Sequence, residues 1–409
     1  MTEYDCAWTT GAYRTSRAAA EAAHRQAGKH GDQVKLWAEV YYLEATYQFD
    51  LEIERAKMYR RLFPFYAEAA TWLGILHEGA PEWDPAFAEA QYRDAYRLRS
   101  DRWSASNLTD ALFRQGNAQE IENLARDWRT KGASETEIAL LHLRIPAISR
   151  DSRAYLQAID RMQRDLGSTE SDVAEARGVG LAQAGRLADL EKVLPLRWQA
   201  VRQSRDARSL IGIAITEAWL NLRRHGRKPV LQEQDLRPIM EGLQLLPFFS
   251  SSSVELGVAE PLERAIAVNE KAEAASTTRY VKEELQFARG CMALIRGDAT
   301  AARTSLEPLA ERSNYPVRHR MLGRTYEALG MLQEAAQEYE KPLENPRLRW
   351  GNIFLILDQY RLATVYERLG DTARARHWYE QFLTDWKDAD PDIPEVIEAG
   401  KRLHALTGA

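Results

Sequence analysis

Cysteine is almost missing from this chain. Cys6 and Cys291 are the only two in 409 residues, and they lie far apart. A disulfide framework is thereby excluded, and Cys291 is left to pack as a small apolar side chain in a helix. Long apolar runs are missing as well. The longest, Leu210–Leu222, contains Glu217 and falls short of the ~20 apolar residues that a membrane-spanning helix needs. The acidic opening Met1-Thr2-Glu3-Tyr4-Asp5 lacks a basic region followed by an apolar one, so no signal peptide is expected and the expected location is cytoplasmic. Charge of one sign is lacking: 55 Lys and Arg face 60 Asp and Glu, a net −5, so no global field favours nucleic acid or an anionic membrane. The interleaved signs read as a solvated face laced with ion pairs. Sustained period-two alternation is absent, so no sheet is expected.

Constellations that carry chemistry are missing too. There is no Walker loop, no His-Arg-Asp or Asp-Phe-Gly kinase element and no Gly-x-Ser-x-Gly elbow. Gly178-x-Gly180 resembles half of a phosphate loop, but Gln183 stands where the next glycine belongs, and close helix packing explains the pair better. His77-Glu78 lacks a second histidine at metalloprotease spacing; His142 and His377 stand alone on helices. Glu283 and Glu284 are helix neighbours that point in different directions, and read as solvated charges rather than an acid/base pair. The expectation is no catalytic residue, no metal, no cofactor and no enzyme.

What the chain has is a recurring phrase. Its clearest copy is Leu362-Ala363-x-x-Tyr366-x-x-Leu369-Gly370-Asp371, followed by Ala375 and Tyr379. A second is Leu322-Gly323-x-x-Tyr326-x-x-Leu329-Gly330, followed by Ala335 and Tyr339. Looser copies run from Arg289-Gly290 through Gly297-Asp298 to Ala302, and from Asn107-Leu108 through Gly116-Asn117. Leu362, Tyr366 and Leu369 share one helical face at i, i+4 and i+7. Gly370 and Gly330 stand where a chain leaving a helix needs positive φ. Asp371 and Asp298 stand where a side chain can cap the next helix. The small residues Ala375, Ala335 and Ala302 let two helices approach. This is the tetratricopeptide (TPR) pattern of packed antiparallel helix pairs. Further copies centre on Leu73-Gly74 with Ala88, Tyr92 and Ala95, across a stretched turn containing Pro81 and Pro85, and on the degenerate Arg177-Gly178 with Gly185.

The expected architecture is all-α: a TPR-like α-solenoid, a right-handed superhelix of antiparallel helix pairs closed by a C-terminal capping helix. Residues 1–33 supply an N-terminal helix and 34–225 partly degenerate repeats. Residues 226–275 form an irregular segment with helix, in which Pro247–Ser253 reads as a loop or hinge. Residues 276–409 carry three helix pairs and the cap, Pro391–Leu406. The 33-residue step from Gly297 to Gly330 lengthens between Gly330 and Gly370, which predicts an extended turn around Asn345–Gly351.

First helices line the concave face of such a stack. Counted from the Leu-Gly signature, inward positions are Arg320, Arg324 and Arg361, with Tyr360 nearby. Three guanidiniums could hold a carboxylate or phosphate by forked hydrogen bonds. The competing reading pairs them with Glu327, Glu367 or other acids. Trp350, Tyr41, Tyr42 and Tyr47 are alternative contacts, though aromatics at helical spacing are more often core.

The segment from Tyr379-Glu380-Gln381-Phe382-Leu383 through Trp386-Lys387-Asp388-Ala389-Asp390-Pro391-Asp392-Ile393-Pro394 resembles a C-terminal signature of bacterial TPR regions attached to serine/threonine protein kinases or winged-helix transcriptional regulators. Upstream, Leu306-Glu307-Pro308-Leu309 and Glu334-Ala335-Ala336-x-Glu338-Tyr339-Glu340-Lys341 share the likeness, which covers about residues 276–406. The resemblance implies an interaction module in signalling or transcriptional control. No kinase or winged-helix motif accompanies it, so the chain reads as a stand-alone repeat protein or a repeat region apart from its effector. A protein or peptide partner bound in the groove is the first expectation. A small-molecule sensor hinged at the Pro/Ser-rich break and a homo-oligomer built on the aromatic N-terminal pairs are the alternatives. Neither nucleic acid nor membrane insertion is expected.

Overall fold

A computed structural model of the chain describes residues 13–46, 48–77, 84–204, 207–232, 246–275, 279–312, 315–344 and 352–408. Among them the only regular element is the α-helix. In chain order the helices are α1 (Tyr13–Ala27), α2 (Asp32–Ala45), α3 (Phe49–Leu62), α4 (Ala67–His77), α5 (Pro85–Leu98), α6 (Arg102–Gln115), α7 (Ala118–Thr130), α8 (Glu135–His142), α9 (Arg144–Ile148), α10 (Ser152–Leu166) and α11 (Glu170–Gln183). They continue with α12 (Leu187–Ser204), α13 (Ala207–His225), α14 (Leu246–Leu256), α15 (Ala259–Ala275), α16 (Arg279–Ile295), α17 (Ala299–Ala310), α18 (Pro316–Ala328), α19 (Leu332–Leu343), α20 (Ile353–Arg368), α21 (Thr372–Asp385) and α22 (Pro394–Thr407).

One turn recurs between paired helices. At Gly370 φ is +77°, its amide bonds the Glu367 carbonyl at 3.0 Å, and the Asp371 amide reaches back to Tyr366 at 2.9 Å. This double bond pattern closes a helix around a left-handed residue, which glycine adopts without a Cβ penalty. The same two bonds form at Gly330, Gly297, Gly185 and Gly116. The next residue then opens the second helix. Asp371, Asp298 and Asn117 accept from the third backbone amide of α21, α17 and α7. Behind each turn the small residue is fully buried, at Ala375, Ala335 and Ala302, and so are Tyr379 and Tyr339. Pairing follows: α16 packs on α17, α20 on α21, α4 on α5 and α10 on α11. The fold is an all-α, TPR-like solenoid of helix pairs.

The helices gather into two compact units, each assembled from two stretches of chain. One joins the described residues up to Leu108 to Val201–Arg318; the other joins Thr109–Ala200 to the described residues from His319 onward. In the first unit α3 meets α16, and Asp50 accepts from the Arg279 amide. In the second, α11 lies on α20.

Pro247–Ser253, expected as a loop or hinge, is instead the body of α14. Pro247 sits in the first turn, where its missing N–H costs nothing. The Ser250 hydroxyl donates to the Leu246 carbonyl at 2.6 Å and Ser251 to Phe248 at 3.0 Å, so these hydroxyls are satisfied inside the helix. All four serines of the run are buried, and their small size lets α14 pack on α16. The final helix starts at Pro394 rather than Pro391, because proline at the first helical position is preorganised and Pro391 lies in the preceding turn. The extended turn expected at Asn345–Gly351 lies outside the described residues.

Candidate functional site

Helices α18 and α20 bring two of the proposed groove arginines onto one carboxylate. Asp358, a turn before Arg361 on α20, is fully buried. The Arg320 guanidinium donates to Asp358 Oδ2, and Arg361 Nη1 donates to Oδ1 at 2.7 Å. Arg320 is 4% exposed, and its guanidinium lies 5.4 Å from the Phe354 ring centroid. A carboxylate wholly removed from water needs such partners, because burying an unpaired charge costs several kcal/mol. Arg361 keeps 26% of its side chain exposed. Arg324 is half-buried one turn beyond Arg320. Its charge and that of Arg361 both act on Tyr339 of α19: burial first, then Glu327, push that phenol well above its usual range, and the two arginines oppose the shift. Tyr339 donates to Glu327 at 2.8 Å, and Arg368 reaches the same carboxylate at 3.5 Å.

Tyr360 belongs to a different cluster. Its ring lies 5.9 Å from Tyr379 and 5.7 Å from Phe382 on α21. Burial raises its hydroxyl's pKa, with Arg402, Glu398 and Glu367 as neighbouring charges. The structure thus unites Arg320 and Arg361 through Asp358, sets Arg324 beside them, and turns Tyr360 toward the terminal helix. Arg320 and Arg361 pair with Asp358, one of the other acids that the competing reading allows. The signal was present: Asp358 and Gln359 interrupt an otherwise apolar Ile353–Leu357 run on a helix with no other acid before Glu367.

Residues 359–384, the second half of α20 with α21, match the family model described as Tetratricopeptide repeat. The chain carries a tetratricopeptide repeat there. No curated protein matches. Among solved structures, the human IFIT1 dimer with PPP-AAAA is similar at 12% identity and a TM-score of 0.41, with 83% of this chain and 81% of that chain covered. Naa15/Naa10 bound to HypK-THB is similar at 15% identity and a TM-score of 0.27, with 98% and 69% covered.

The repeat has a polar rung as well as its apolar signature. Tyr379 donates to Glu367 at 2.8 Å, twelve residues earlier, as Tyr339 does to Glu327. Arg402 of α22 also binds Glu367, at 2.9 Å, and Glu398 within its own helix, so the terminal helix is tied to the last TPR pair.

Glu283 and Glu284 correct an expectation. They are not solvated: they are 3% and 1% exposed. Adjacent helical side chains diverge by about 100°, enough to flank a single guanidinium from two sides. Arg318 fills that position, with Nη1 3.0 Å from Glu283 and Nη2 3.1 Å from Glu284. Burial pushes the Glu284 carboxyl up to about 7, against the pull of Arg318. Glu283, also bound by Arg279 at 2.7 Å, is held below its ordinary value despite burial. The glycine pair Gly178 and Gly180 serves helix packing: a Cβ on either would fall 2.7 Å from Arg197 or 2.8 Å from Tyr155. Tyr41 packs on Trp72 at 5.0 Å, and Tyr42 stacks on His24 at 4.5 Å. Tyr47 and Trp350 lie outside the described residues.

Proposed function

We propose that this chain is a non-enzymatic interaction scaffold or sensor that binds a protein or peptide partner, and that the face bearing Arg324 and Arg361 contacts an acidic segment of it. The carrying observation is the anchoring of Arg361: the buried Asp358, itself bound by Arg320, holds its guanidinium while 26% of the side chain stays exposed. A guanidinium fixed by one carboxylate loses less side-chain entropy when a second anion arrives. The resemblance to repeat regions attached to kinases and transcriptional regulators supports a role in bacterial signalling or transcriptional control. Fluorescence anisotropy with labelled acidic peptides tests it. Arg324→Gln with Arg361→Gln is expected to weaken binding about tenfold at unchanged helicity, the equivalent of ~1.4 kcal/mol. Equal binding by the wild type and the double variant would refute the site.

A second reading, small-molecule sensing, has one observation in its favour. A cavity of about 460 Å³ lies among α15, α16 and the start of α17, with Ile266 and Met292 in its lining and the pairs Glu270–Arg289 and Glu263–Arg296 beside them. That volume falls within the range of small-ligand sites, about 300–1,000 Å³. A thermal-shift screen decides: a metabolite at about 100 times its dissociation constant stabilises by ~2.7 kcal/mol.

A further inference from the structure

The segment Asp385–Asp390, singled out above as a family signature, does specific work inside the second unit. Asp385 is almost fully buried and accepts from Arg150 at 2.7 Å and from Gln359 of α20 at 2.8 Å. Asp388 accepts from Arg153 at 2.8 Å. Asp390 accepts from the Ala188 amide at 2.7 Å, and its own amide donates to the Gly185 carbonyl at 3.1 Å. Arg150 and Asp385 are 235 positions apart in the chain.

Two features show that the receiving surface is shaped for this segment. The first is a missing cap. At three of the recurring glycine turns the following residue caps the next helix, Asp371, Asp298 and Asn117, whereas Met331 after Gly330 does not. After Gly185 that position is Arg186, which has no acceptor. Asp390 supplies the carboxylate from 202 residues away. Free amides and the positive end of the helix dipole favour a carboxylate there. The second is close fit under strain. A Cβ on Gly185 would lie 2.6 Å from that of Ala389 and 3.0 Å from Trp386. Arg150, which reaches Asp385, is the one non-glycine residue with positive φ among the described residues, at +56°. Such a conformation is costly for a long side chain and persists where surrounding contacts hold it.

We propose that Arg150, Arg153 and the first turn of α12 form a docking site for an acidic, tryptophan-bearing segment, occupied here by the chain's own residues 385–390, and that this contact is a detachable latch. Closed, it seats α11 against α20. There Leu355, Ile356, Leu357, Asp358 and Gln359 are all buried, so that five consecutive residues leave no open side on that stretch of helix. Open, it exposes this stretch of α20 and leaves α12 with an uncapped N-terminus that a second acidic segment can take. Each half keeps its own helix pairs, so opening separates them without unfolding either.

Hydrogen exchange measured by mass spectrometry on the full chain tests this. In Asp385→Asn/Asp388→Asn/Asp390→Ala, protection is expected to fall about tenfold over residues 185–190, 353–359 and 385–393, the size of losing one strong cap, while the rest of α21 and α10 keep theirs. Excess synthetic peptide with the sequence of residues 383–394 is expected to restore protection at 185–190 but not at 385–393. Arg186→Asp attacks from the other side. It gives α12 its own cap, so 187–190 stays protected while 385–393 loses protection. Unchanged exchange in both variants would overturn the docking site. Loss of protection throughout both halves would show an inseparable core and overturn the latch, and so would failure of the peptide to restore 185–190.

Discussion

Replacing Glu284 by Gln isolates one buried proton. Glu284 is 1% exposed, and its charged neighbours are Arg318 and Glu283; Arg279 and Arg312 reach Glu283 at 2.7 and 3.8 Å. Burial raises its carboxyl from 4.5 to about 7. A folded-state value above the unfolded one means the folded chain holds the proton more tightly. The associated stability is therefore fully present below pH 4.5 and is lost as pH rises through 7. A shift of that size corresponds to roughly 3 kcal/mol, at about 1.4 kcal/mol per pH unit. Between pH 5 and 8 the part lost is about 2–3 kcal/mol. Glu284→Gln mimics the protonated carboxyl in shape and keeps an acceptor for Arg318, so its stability should lack this decline. The assay is urea unfolding at pH 5, 6, 7 and 8. The difference between variant and wild type cancels every other titrating group, Glu283 included, provided that group keeps its environment. The variant's relative stability is expected to grow by about 2–3 kcal/mol from pH 5 to 8. Parallel curves would refute the reasoning, and a variant that loses ground as pH rises would reverse its sign.

Met331 occupies the cap position of α19 with φ −83° and ψ 71°, close to Asp371 at −86° and 79°, and no side-chain hydrogen bond caps that helix; Met331→Asp should stabilise by about 0.5–1 kcal/mol in thermal unfolding, and Asp371→Ala should destabilise by about 1. Gly323→Ala would place a Cβ 2.9 Å from the Tyr339 ring and should cost about 1–3 kcal/mol by denaturant midpoint. Tyr379→Phe removes the donor to Glu367, which retains Arg402, and should cost about 1 kcal/mol in the same measurement. Phe65 is 83% exposed, with Leu62 at 56% beside it. If the aromatic N-terminal pairs mediate self-association, light scattering of Phe65→Asp should lose any concentration dependence shown by the wild type, with stability within about 0.5 kcal/mol.

Legibility in the sequence tracked the range of the interaction. The turn at Gly370-Asp371 could be read directly, because positive φ, the returning amide bond and the cap all involve residues within five positions of one another. The composition of the serine run suggests a break, whereas the Ser250 and Ser251 hydroxyls find acceptors one turn back in the same helix. Glu283 and Glu284 read as solvated because helix periodicity reports direction and says nothing of a guanidinium 35 residues later. For the arginines, spacing puts Arg320 and Arg324 on one helix face and brings Arg361 from the next pair. It cannot show that Asp358 sits between Arg320 and Arg361, 38 residues from Arg320. The docking of Asp390 on α12 had only one trace in the sequence, an arginine where the repeat wants a cap.

These long-range contacts supply what the repeat pattern lacks. In a stack of similar helix pairs, Leu, Ala and Tyr recur at the same spacing, so apolar matching alone discriminates poorly between the native register and a slip of one helical turn, about 5.4 Å. Directional partners discriminate sharply. A slip of α20 against α18 would carry Asp358 away from Arg320 and leave a fully buried carboxylate short of a guanidinium, a loss of several kcal/mol. A slip of α20 against α19 would break Tyr366 from Glu340, and one of α22 would break Arg402 from Glu367. The contacts of α20 with α18, α19 and α22 thus each carry at least one bond that tolerates a single register. The arginine face proposed for partner binding draws its geometry from the same bonds: Asp358, which fixes the register of α20, is also the group that holds Arg361 toward solvent.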